Sequence, residues 1–175
     1  VILTHGHPDH IGGNTISEGK PAFPNARFVM WKAEWDFWTS EQAEQKLGLG
    51  KEILLTFARK NLQPIQSRID LVGGETEILP GIHAVAAPGH TPGHMALAIS
   101  SGGEQLLAIS DAFLHPIHVR QPDWCAAVDF DPKQVITTRQ RLLNLTASKK
   151  ALVLAFHFPF PGLGHVVQKG DKWQW

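Results

Sequence analysis

A chain of 175 residues with 43% hydrophobic and 18% charged content has the apolar material for a sizeable core and reads as globular rather than disordered. Lys plus Arg and Asp plus Glu both total 16, so there is no basic field to attract nucleic acid, and a weakly charged small molecule is the better-matched partner. Cys125, the single cysteine, excludes a disulfide framework or a cysteine-rich zinc site, and no apolar run approaches the ~20 residues of a membrane-spanning helix, so no membrane partner is expected.

In chain order, Val1-Ile2-Leu3-Thr4 is a β-branched apolar run that stops at a histidine-rich loop. The sequence therefore opens inside a buried strand, and further strands are expected ahead of Val1. Ala26 to Trp31, after Pro24-Asn25, predicts another strand, and Lys32 to Trp38 and Lys51 to Asn61 carry helical patterns separated by Gly48 and Gly50. From Ile69 to Ser110, apolar stretches of strand length alternate with turn pairs such as Gly73-Gly74, Pro80-Gly81 and Gly102-Gly103, which predicts a β-meander. Asp131-Pro132 combines an N-cap acceptor with proline at the first helical position. The helix it starts, to about Ala147, presents Val135, Leu142 and Leu143 on one face. Ala151 to Phe156 predicts a last buried strand. Without a repeat, linker or low-complexity tract, residues 1–175 are expected to form a single domain.

The chemistry concentrates in Thr4-His5-Gly6-His7-Pro8-Asp9-His10, where three imidazoles and a carboxylate occupy six consecutive positions. Neutral imidazole and carboxylate suit zinc, iron and manganese, and a loop lets neighbouring side chains converge as a helix or strand face does not. Gly6 permits unusual backbone angles and Pro8 fixes φ. A solvated histidine-rich loop or tag remnant fits less well, because an apolar strand leads in and Ile11-Gly12-Gly13 follows. Three further segments are apolar runs ending in a donor: Val85 to His90, Leu106 to Asp111 and Leu152 to His157. His90 alone would read as a histidine capping a turn; together the four segments offer enough nitrogen and oxygen donors for two metals.

The H-x-H-x-D-H pattern at His5 to His10, then Gly89-His90, Asp111 and His157, resembles the metallo-β-lactamase superfamily in order. Ala87-Pro88-Gly89-His90-Thr91-Pro92-Gly93-His94 is similar to a loop of its lactonase and organophosphate-hydrolase branches, and the stretch from His157 to His165 resembles the methyl parathion hydrolase subgroup. The resemblance implies an α+β fold, the αβ/βα four-layer sandwich, with the family's first strands lacking ahead of Val1. Ser110-Asp111 stands where glycine-aspartate is commoner, a departure with no expected cost.

The resemblance further implies His5, His7 and His90 on one divalent ion, Asp9, His10 and His157 on a second, and Asp111 bridging them, with Asp9 and Asp111 as the catalytic carboxylates. Zinc is the first expectation, and manganese or iron accepts the same donors. Two such ions ~3.5–4 Å apart would share a hydroxide, lowering the pKa of its parent water from 15.7 towards ~7, so neither serine nor cysteine is needed as nucleophile. Cys125 is expected to be buried or on a pocket wall.

The implied reaction is hydrolysis of a small ester-like substrate: a lactone, carboxylic ester or phosphotriester. A β-lactam or a thioester of the glyoxalase II kind is the alternative within the same chemistry, and a redox protein or a metal-binding fragment without turnover is the alternative outside it. Phe158, Phe160 and Leu163 would wall the pocket for an apolar group, or else pack the end of the sheet. His115 and His118 would stand at the pocket mouth or on the surface, and His94 would support a ligand or its own turn. A homodimer would cover apolar surface left by absent strands. The compartment is open between cytoplasm and periplasm.

Overall fold

Parallel strands need long crossovers, and the chain up to Val72 supplies two, between β-strands at Ile2–Leu3, Phe28–Trp31 and Ile69–Val72. In the computed structural model, which describes residues 1–41, 43–47 and 52–175, β1 (Ile2–Leu3) leads through α1 (Pro8–Ile11) to β2 (Phe28–Trp31). The helices α2 (Lys32–Thr39), α3 (Ala43–Leu47) and α4 (Glu52–Leu62) then return the chain to β3 (Ile69–Val72). The three strands form one parallel sheet in the order β1-β2-β3. Apolar positions of opposite periodicity build this unit: Phe28 and Met30 alternate inward from β2, while Leu55, Ala58 and Leu62 recur at helical spacing on α4. Gly48, Gly50 and Lys51, expected as a helix separator and a helix start, lie outside the described residues.

The chain divides into two compact units, Val1–Gly73 and Gly74–Trp175. That boundary corrects the expected meander over Ile69 to Ser110. Ile69–Val72 pairs in parallel with Phe28–Trp31 inside the first unit, because the helices between them provide the crossover. The antiparallel meander starts only after Gly74, whose φ of +74° turns the chain where glycine alone is unstrained.

The second unit opens with β4 (Glu77–Leu79), β5 (Ile82–Ala86), β6 (Met95–Ser101) and β7 (Glu104–Ala108). A short helix α5 (Ile117–Arg120) and the long α6 (Pro132–Lys149) follow. The strand β8 (Leu152–Leu154) joins β7 in parallel, β9 (Leu163–Gly164) closes the six-stranded sheet, and β10 (Val167–Lys169) with β11 (Lys172–Gln174) forms a hairpin. The Asp131 carboxylate accepts the Gln134 N–H at 3.0 Å, and Pro132 occupies the first turn, as the sequence predicts for α6. Val135, Leu142 and Leu143 of α6 are buried, the latter two in a cluster with Leu107, Ile109, Phe113 and Val153. Among the described residues, no helix is long and apolar enough to cross a membrane.

Candidate metal centre

In the first unit the donors follow β1 directly. The His5 ring centroid lies 4.8 Å from that of His7 and 4.2 Å from that of His10, and the Nε2 of His10 is 3.5 Å from the Asp9 carboxylate. Donor atoms of His5 and His7 approach within 4.8 Å of one another, as do those of Asp9 and His10. The helix α1, begun by Pro8, makes this crowding possible: it turns Asp9 and His10 back on the loop through the His10 and Ile11 amides, both donating to the His7 carbonyl at 3.1 Å.

The loop is pinned from α2. The Glu34 carboxylate, fully buried, accepts the Gly6 N–H at 2.8 Å and the Trp38 indole N–H at 2.6 Å. Glu34 and Trp38 stand one helical turn apart, so both reach the same loop. The indole in turn lies so close to Gly6 that a Cβ there would meet it at 2.3 Å. Sequence reading gave Lys32 to Trp38 as helical and passed over Glu34. A carboxylate at the centre of an otherwise apolar helical face was the available signal.

In the second unit, Asp111 is the common partner. Its carboxylate Oδ2 lies 3.1 Å from the Nε2 of His157 and 3.4 Å from the Nε2 of His90. Asp111 sits on a 3-10 turn, Ser110–Ala112, beyond the end of β7, and His157 stands three residues past β8. Turns beyond strand ends therefore carry both donors, where the sequence suggested the strand ends themselves. Ser110 adopts φ +44°, a left-handed conformation that costs a non-glycine residue roughly 1–2 kcal/mol. The departure from glycine at this position is thus not free, which corrects the expectation.

His94, undecided between ligand support and turn support, bonds both to its own turn and to the Asp111 backbone. Its Nδ1 donates to the Ala87 carbonyl at 2.9 Å while its Nε2 accepts the Asp111 amide at 3.1 Å. An amide only donates, so the ring is the neutral Nδ1–H tautomer. It fixes the backbone that carries Asp111 to the turn around His90.

Asp129 and Arg139 were not singled out from the sequence. The Asp129 Oδ1 lies 2.9 Å from the Nδ1 of His90 and its Oδ2 accepts the Ala126 N–H at 2.8 Å. Arg139, fully buried on α6, lies 3.6 Å from the same carboxylate. Burial alone would raise the Asp129 carboxyl, but the hydrogen bonds from His90 and Ala126, with the charges of His90 and Arg139, hold it below the usual carboxylate range. Burial alone would likewise lower His90, yet its two carboxylate partners push it up to about 9. A buried arginine in a helix otherwise patterned for aliphatic packing is the one trace of this pair in the sequence.

The other expected residues fall outside these clusters. Phe158 is buried in the second unit's core against Trp175, ring centroids 4.9 Å apart, so it packs the sheet end. Phe160 is 99% exposed and Leu163 half-exposed on β9. His115 is exposed; His118 is buried, with its pKa pushed down to about 4 by burial and by the Arg139 charge. Cys125 is exposed rather than buried.

Imidazole nitrogens and carboxylate oxygens gathered within 4.8 Å, with Asp111 shared by two histidines, are the donor chemistry that zinc, manganese or iron accepts. A profile of the metallo-beta-lactamase superfamily matches residues 1–157. An N-acyl homoserine lactonase from a Bacillus species is 28% identical over 159 residues, 90% of this chain and 54% of that protein. A probable metallo-hydrolase, YflN, from Bacillus subtilis (strain 168) is 23% identical over 167 residues, covering 90% of this chain and 63% of its own length. Among solved structures, AidC, a dizinc quorum-quenching lactonase in complex with a product, matches with a TM-score of 0.91 at 30% identity. The hydrolase AbOPH matches with a TM-score of 0.90 at 28% identity. Each of those two matches covers 99% of this chain and 62% of the other. The chain thus spans little more than half the length of the curated lactonase it matches.

Proposed function

The chain belongs to the metallo-beta-lactamase superfamily, and from that premise we propose that it hydrolyses the ester bond of a lactone at a centre of two divalent metal ions. The donors would be those that the family pattern names: His5, His7 and His90 for one ion, Asp9, His10 and His157 for the other, and Asp111 between them. The observation that carries the proposal is the Asp111 carboxylate, 3.1 Å from a candidate ligand of one ion and 3.4 Å from a candidate ligand of the other. Zinc is the proposed metal, supported by the dizinc lactonase among the similar structures. A lactone is the proposed substrate, supported by the curated lactonases.

When bound, two such ions supply a water activated near neutral pH and polarise a carbonyl oxygen. The protein's own part is to hold the donors in place. Glu34 and Trp38 fix the His5 to His7 loop, His94 fixes the Asp111 backbone, and Asp111 draws the Nε2 atoms of His90 and His157 to one carboxylate.

The test is lactone hydrolysis by the purified chain with its metal content measured alongside. Zinc-dependent ring opening is expected, and Asp111→Ala should cost about 4 kcal/mol of transition-state stabilisation, ~10³-fold in rate. Near wild-type turnover by that variant with full metal content would refute the assignment.

A further inference from the structure

Two acidic groups flank the His90 ring, and they have different surroundings. Asp111 faces Nε2 among the candidate ligands, whereas Asp129 faces Nδ1 from the side of Arg139. Beyond Asp129 stands Arg139, whose guanidinium donates to the carbonyl oxygens of Ala112 at 2.6 Å, Pro122 at 3.4 Å and Trp124, and lies over the Phe113 ring. The arginine thus ties down the segment from Ala112 to Trp124 that leads from the Asp111 turn to Asp129. Burying two charges is costly, and hydrophobic residues of similar volume often serve stability as well. Such a pair calls for a use beyond holding the fold.

The backbone here uses the Asp129 side chain at one point, the Ala126 amide that its Oδ2 accepts at 2.8 Å. The Phe130 amide donates to the His90 carbonyl at 3.2 Å and the Asp131 amide to the Gly89 carbonyl at 2.8 Å. These bonds hold the loop of His90 against the start of α6 whatever stands at position 129. Beyond the Ala126 amide, what the carboxylate governs is the ring, through its other oxygen at 2.9 Å from Nδ1.

Building on the hydrolase reading, we propose that Asp129, held by the Ala126 amide and facing the Arg139 charge at 3.6 Å, is a positioning residue that keeps a proton on Nδ1 of His90 and so leaves Nε2 as the nitrogen offered to metal. A carboxylate in that place fixes the tautomer and the ring plane and makes the ligating nitrogen more basic. Because His90 belongs to one of the two proposed ion sites, the effect is specific to that ion.

The experiment is a zinc titration of wild type, Asp129→Asn and Asp129→Ala against a chromophoric chelator, with thermal midpoints of the metal-free proteins recorded in parallel. Asparagine still accepts the Nδ1 proton but lacks the charge; alanine lacks both. The expected result is that one of the two ions weakens by about 10- to 100-fold, less for Asn than for Ala, while the other ion keeps its wild-type affinity. Both ions weakening in step with a lowered midpoint, or neither weakening, would overturn the inference. Nitrogen-detected NMR of the zinc-loaded wild type needs no variant: a proton on the His90 Nδ1 is expected, and its absence would overturn the inference equally. Wild type that takes up no zinc would defeat the hydrolase reading itself, and this inference with it. Wild type holding two ions beside variants indistinguishable from it would defeat only the role of Asp129.

Discussion

His90 and His118 stand on opposite sides of the ordinary histidine pKa, at about 9 and about 4, and the two directions act in different pH windows. A ring whose folded pKa is raised stabilises the fold fully below its unfolded value of ~6.5, and that contribution disappears as pH climbs through about 9. A ring whose folded pKa is depressed costs nothing above ~6.5, and the fold loses stability as pH falls from there towards about 4, where only the unfolded chain takes up the proton. Of these two groups, His90 is already protonated in both states over the acid window, and His118 is neutral in both states over the alkaline one. The metal-free chain should therefore be most stable close to pH 6.5 and lose stability on either side. Urea midpoints from pH 4 to 9.5 check this: His118→Gln should flatten the acid limb alone, and a midpoint that rises steadily across the range would contradict it. With zinc bound the alkaline limb should vanish, since a ligating imidazole is already neutral.

At the scale of elements, α2 and the loop after β1 behave as one part. The indole of Trp38 occupies the space a side chain at position 6 would need, and Glu34 holds both the indole N–H and the Gly6 amide. Gly6→Ala should force the ring or the loop to move and cost ~1–3 kcal/mol, the usual penalty for overfilling a packed core. Because the loop carries His5 and His7, zinc affinity should fall as well. A calorimetric midpoint and a zinc titration both unchanged in this variant would show that the loop is not fixed by α2. This coupling also marks what the sequence could disclose. The H-x-H-x-D-H run, the Asp131-Pro132 helix start and the strands β5, β6 and β7 were legible because each is written in consecutive residues. Glu34, Asp129 and Arg139 were not, because their partners lie 28, 39 and 27 positions away, and no local pattern records such a contact. β3 was misassigned for a related reason. Its apolar run reads the same whether its partner is the next strand or, as here, one that precedes three helices.

At the scale of the whole molecule, the proposed ligand set comprises His5, His7, Asp9 and His10 of residues Val1–Gly73 with His90, Asp111 and His157 of residues Gly74–Trp175. Under that proposal metal binding needs both groups of donors. A ligand that binds only the folded state stabilises it by about 2.7 kcal/mol at 100 times its Kd, and here that gain belongs to both units at once. Zinc should raise hydrogen-exchange protection in the parallel sheet of the first unit and in the six-stranded sheet of the second, and a chelator should reverse both together. The decisive comparison is a variant altered only in the first unit, with His5 and His7 both replaced by Ala. If the ions are shared, zinc loses most of its effect on β5 to β8, which contain neither substitution. Undiminished zinc protection of those strands would mean that the second unit binds metal unaided through His90, Asp111 and His157, and the shared centre would have to be given up.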